Sequence, residues 1–109
     1  MSLNLRCIKC CLIIFCMLIG QQCHAAFKND AYYMGLAIEI AKHNPKTPFG
    51  AVIVDNKTGE ILAEGLNASS INPTFHGEMV AINNCVKKHP HVDWANTTLY
   101  TTAEPCSMC

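Results

Sequence analysis

The sequence lacks any apolar run long enough to cross a bilayer as a helix, a task that takes roughly 20 residues. Its longest run, residues 10–20, stops well short. Internal repeats, low-complexity tracts and linkers rich in Gly, Ser or Pro are all missing. With 109 residues, that leaves room for one domain at most. There is no surplus of positive charge, since eight Lys and Arg balance eight Asp and Glu. Arg6 and Lys9 precede the apolar run, and Gln21, Gln22, Cys23, His24 and Ala25 follow it. Residues 1–25 therefore read as a secretory signal peptide with Ala25 as the small residue before the cut, which implies export. The competing readings are a buried or interfacial helix, or a start at Met17 that would make the protein cytoplasmic. Gln21 and Gln22 stand where a lipid anchor at Cys23 would need small residues.

Without the leader, six basic residues face eight acidic ones, and a mildly acidic chain argues against an extensive nucleic-acid surface. Five of the eight cysteines go with it, leaving Cys85, Cys106 and Cys109. Three cysteines, two of them in C-x-x-C, do not make a disulfide framework; they indicate a metal site or a redox pair.

What is present alternates between helical and strand patterns. Tyr33, Met34, Ala37, Ile38 and Ala41 recur at helical spacing, with Asn29 or Asp30 available as the cap. Asn44-Pro45 ends that helix, because a residue before proline is steered out of the helical region. Residues 49–54 read as a strand buried on both faces, residues 55–59 as a turn, and residues 61–66 as the returning strand. A polar loop covers residues 67–74. Residues 76–88 form a second helix with Met79, Val80, Ile82, Cys85 and Val86 as its core stripe, stopped at His89-Pro90. Residues 97–102 are a third strand by β-propensity, and Pro105 fits the first turn of a further helix. The order describes an α/β layered sandwich seen in part.

Two short motifs carry chemistry: His76-Gly77-Glu78 opening one helix, and Pro105-Cys106-Ser107-Met108-Cys109 opening the next. One imidazole and two thiolates suit Zn2+, and three protein ligands leave a fourth position open. Cys106 and Cys109, three apart, face the same way on a helical turn, and helix N-termini favour their ionised forms. Glu78 is two residues from His76 and shares its site only if the first turn is irregular. There it can act as the acid/base group. His43, His89 and His91 read as solvated, Cys85 as core, and Glu104 as a backbone contact more than a side-chain one.

His-x-Glu followed by Pro-Cys-x-x-Cys is a known signature of zinc deaminases, in which the Glu is not a ligand. The chain resembles the cytidine deaminase-like zinc hydrolases, in the branch of guanine deaminases and tRNA adenosine deaminases, from about residue 32 to residue 109. The resemblance is carried by Pro48-Phe49-Gly50-Ala51-Val52-Ile53-Val54, by Asn72-Pro73-Thr74-Phe75-His76-Gly77-Glu78, and by residues 99–109. It implies a three-layer α-β-α sandwich, of which residues 26–109 are the N-terminal part without the later strands and C-terminal helix. It implies His76, Cys106 and Cys109 as zinc ligands, Glu78 as the proton shuttle, and Asn67 as the asparagine that hydrogen-bonds the base. Asn72, where many relatives have Asp, and Gly77, commonly Ala, are the departures.

The function so implied is zinc-dependent hydrolytic deamination of a small-molecule nucleobase or nucleoside, a purine such as guanine before others. A homodimer is in keeping with the resemblance. The loop over residues 67–72 has no Arg or Lys to hold an RNA backbone, which sets tRNA adenosine deamination second. A non-catalytic zinc-binding remnant and a thiol–disulfide module are the readings from other classes.

Overall fold

The computed structural model describes residues 28–109, so the expected leader and export lie outside the described residues. Helix α1 (Asp30–Ala41) begins at Asn29, whose Oδ1 accepts from the Tyr32 N–H at 3.0 Å. Strands β1 (Gly50–Asp55) and β2 (Ile61–Leu66) pair antiparallel, with Gly59 at φ 71° in the turn between them. Helix α2 (Gly77–Lys88) follows, then a short 3-10 turn (Trp94–Asn96) and β3 (Thr97–Thr101). The sheet order is β2-β1-β3, and β3 also runs antiparallel to β1.

β1 is thus the central strand, and alternation sends its side chains to opposite layers. Val52 and Val54 pack with Tyr33 and Ala37 of α1. Ala51 and Ile53 pack with Ala81 and Cys85 of α2. The expected three-layer α-β-α sandwich is what this part of the chain forms.

The stripes that face the sheet are narrower and smaller than expected. In α1 the buried residues are Tyr33, Ala37 and Ala41, while Met34 and Ile38 lie on the exposed side. In α2 they are Gly77, Glu78, Ala81 and Cys85; Ile82 packs on the core, but Val86 is 48% exposed. Close approach is the cause. A Cβ on Gly50 would run into Ala37 O of α1, and one on Gly65 would run into Gly77 O and Ala81 N of α2. The helices lie directly on strand backbone at these points, so only small residues fit the contacting row.

Just after Pro105, Ser107 and Met108 form a turn where the sequence pattern expects a helix to open.

Candidate metal centre

His76 is the N-cap of α2, with extended backbone (φ −66°, ψ 154°), and its side chain makes no capping hydrogen bond. Its ring therefore turns away from the helix end. Asn72 closes a local turn: its Oδ1 accepts from Thr74 N–H at 3.0 Å and Thr74 O–H at 2.9 Å. Because His76 stands just outside α2 and Glu78 just inside, the two reach one site without any irregularity in the helix.

The second motif arrives from the end of β3. Thr102 anchors this passage, donating its N–H to Gly50 O at 3.1 Å and accepting from Gly50 N–H at 3.1 Å. The turn beyond brings Cys106 Sγ to 3.6 Å and Cys109 Sγ to 3.7 Å from His76 Nδ1, with 3.7 Å between the sulfurs. Among the described residues this is the one group of three metal-ligating side chains. Its size can be tested against zinc. With Zn–S of about 2.3 Å and Zn–N of about 2.0–2.1 Å, tetrahedral angles put two sulfurs about 3.8 Å apart and sulfur and nitrogen about 3.6 Å apart. All three edges agree to about 0.1 Å, and the donor set is the borderline-soft one that zinc takes. The residues fit the ion.

The two thiols are electrostatically unlike. Backbone N–H groups of Cys109 and Met108 point at Cys106 and hold its thiol down at about 7. Burial pushes Cys109 up to about 11, helped by the Cys106 thiol and the nearby Glu78 carboxylate. The turn thus supplies the thiolate-stabilising N–H groups that a helix N-terminus was expected to bring. Burial likewise raises the Cys85 thiol, which is fully enclosed in the core.

The triangle opens onto a cavity of about 260 Å³ lined by Thr47, Phe49, Asn67, Ser69, His76, Glu78, Ala103, Glu104 and Cys106. Glu78 is only 5% exposed, and it lines this cavity. Asn67 is 6% exposed and shares the same wall. All five residues singled out in the sequence therefore sit at one place. Thr47, Phe49 and Ser69 were missed: each is an ordinary loop residue, and only the fold brings them together. His43 and His91 are exposed, as expected, whereas His89 is half-buried at the C-terminal end of α2, and Glu104 lines the cavity from an exposed position. No described helix is long and apolar enough to cross a membrane.

Comparison with known proteins agrees with this geometry. Residues 27–109 match the family model described as the cytidine and deoxycytidylate deaminase zinc-binding region. A tRNA-specific adenosine deaminase of Buchnera aphidicola is 43% identical over 86 residues, covering 74% of this chain and 52% of the relative. A guanine deaminase of Bacillus subtilis is 47% identical over 88 residues, covering 79% of this chain and 54% of the relative. The X-ray structure of guanine deaminase from Bacillus subtilis superposes with a TM-score of 0.66 and 36% identity, over 75% of this chain and 55% of that one. NE0047 in complex with 2,6-diaminopurine superposes with a TM-score of 0.63 and 28% identity, over 71% and 46%. The chain spans about half the length of the curated relatives it matches. It belongs to the zinc-binding deaminase family of cytidine and deoxycytidylate deaminases.

Proposed function

We propose that the chain carries the metal-binding half of a hydrolytic deaminase acting on a free purine base, guanine first. The carrying observation is that the His76–Cys106–Cys109 triangle opens onto a cavity whose wall also holds Glu78 and Asn67. His76 Nδ1 and the sulfurs of Cys106 and Cys109 would hold Zn2+. When bound, the ion supplies Lewis acidity that lets water give up a proton near neutral pH.

The chain's own residues do the rest. Glu78, nearly buried but lining the cavity, takes the proton from the attacking water and passes it to the substrate nitrogen. Water adds to the amidine carbon, the bond to the exocyclic nitrogen breaks, and ammonia leaves with the transferred protons. Phe49, 41% exposed at the cavity wall, offers a ring face for the base to lie against. Asn67 hydrogen-bonds the base edge.

Two features favour a base over a nucleotide. A volume of about 260 Å³ lies below the range of about 300–1,000 Å³ that takes larger ligands. No Lys or Arg lines the cavity among the described residues, so nothing there holds a phosphate. Relatives named for both guanine and tRNA adenosine exist, and an assay separates the readings. Ammonia release from guanine by zinc-loaded protein, lost on chelation and restored by zinc, is the expected result. Turnover of a tRNA anticodon stem with none of guanine would assign the second substrate; neither, with zinc held, would leave a non-catalytic zinc module.

A further inference from the structure

The cavity wall holds a hydrogen-bond chain that neither the metal triangle nor Glu78 uses. Asn67 Oδ1 accepts three hydrogen bonds: from Ser69 N–H at 3.1 Å, Ser69 O–H at 2.8 Å and Thr47 O–H at 3.2 Å. The first of these settles which amide atom is which. A backbone N–H can only donate, so the atom facing Ser69 N is the oxygen. The Thr47 hydroxyl has its own direction set from behind, because Asn44 Nδ2 donates to it at 2.8 Å. Asn44 Nδ2 also donates to Asn67 O at 3.0 Å, and Asn67 N–H donates to Phe49 O at 2.9 Å, which pins the backbone of the same residue.

The consequence falls on the other end of the amide. Asn67 Nδ2 has no protein partner among the described residues, and no enclosed side-chain nitrogen or oxygen there lacks one; Nδ2 is therefore open to the cavity that Asn67 lines. An amide flip would point a carbonyl at the cavity and set NH2 against Ser69 N–H, two donors facing each other. The Asn67 amide thus presents its N–H donors to the cavity and keeps its carbonyl turned away.

We propose that Thr47 and Ser69 are positioning residues that lock the Asn67 amide with its donors inward, so that the site selects a base presenting a hydrogen-bond acceptor there. The inference rests on the base-binding reading above. Asn44, through Thr47, completes the lock.

The test uses zinc-loaded protein and 8-azaguanine as the probe, with affinity read by calorimetry and the Asn67 side-chain amide read by 15N NMR. Thr47→Val removes the hydroxyl at nearly constant shape, and affinity falls about 3- to 10-fold, the worth of one typical hydrogen bond. Thr47→Ser restores it. In an Asn67→Ala background, Thr47→Val costs nothing further, because its effect runs through the amide. Equal losses in both backgrounds, or full affinity in Thr47→Val, would overturn the proposal. The NMR arm stands without binding: Thr47→Val combined with Ser69→Ala should shift and broaden the Asn67 Nδ2 signals while zinc content holds. Unchanged signals refute the lock. Protein that binds no base yet shows the amide change would instead refute the base-binding reading alone.

Discussion

Replacing Gly65 by alanine should separate close helix–sheet contact from every other contribution to this fold. The new Cβ would lie 2.9 Å from Ala81 Cα and closer still to Ala81 N and Gly77 O. Optimal carbon–carbon separation is about 3.5–4.0 Å, so α2 has to retreat by about 1 Å. The neighbours are backbone atoms, so no side chain can swing aside. Overpacking of this kind costs about 1–3 kcal/mol. Because His76 and Glu78 sit at the N-terminal end of α2, the same retreat should spread the metal triangle and weaken zinc binding. Gly35→Ala is the matched control. That glycine lies within α1 with nothing within 4 Å of an added Cβ. The change there should stabilise by about 0.5–1 kcal/mol, the ordinary gain in a helix. Urea unfolding of the two variants, with zinc titration beside it, gives both numbers. A Gly65→Ala protein within about 0.5 kcal/mol of the parent, a typical surface effect, would refute the contact argument.

Glu78→Gln should keep one zinc per chain while losing about 10²- to 10⁴-fold in turnover, since an amide cannot accept the water proton; activity within a few-fold of the parent would move the proton elsewhere. Tyr100 donates to Asp30 Oδ1 at 2.6 Å, and that bond, with burial, pushes its phenol up to about 12. A raised folded-state value means the contribution is whole below about 10, the unfolded value, and is lost as pH climbs through 10 to 12. Alkaline unfolding followed by circular dichroism should therefore show a steeper loss for the parent than for Tyr100→Phe, and parallel curves would deny the linkage.

The chemistry was more legible in the sequence than the packing. His76, Glu78, Cys106 and Cys109 stand out as two short motifs of metal-ligating and acid/base residue types, and the fold brings them to one place. Their elements were legible too, through the β-branched run of β1 and the turn at residues 55–59. Hydropathy failed on the helix faces. Met34, Ile38 and Val86 are apolar but lie outward; Ala37 and Ala41 face the sheet as expected, and Gly77 and Ala81 join them there because backbone contact at Gly50 and Gly65 selects by size. Thr47 and Ser69 were invisible because their role depends on a partner 20 residues away in one case and on loop geometry in the other.

The central claim is a zinc site of one imidazole and two thiolates with a position left open toward the cavity. X-ray absorption at the zinc edge of the loaded protein tests it most directly. The expected spectrum has two sulfurs at about 2.3 Å and two light atoms at about 2.0–2.2 Å, one of them histidine nitrogen. Cys109→Ala should halve the sulfur count or release the metal. Four sulfurs, or an unchanged shell in that variant, would contradict the account.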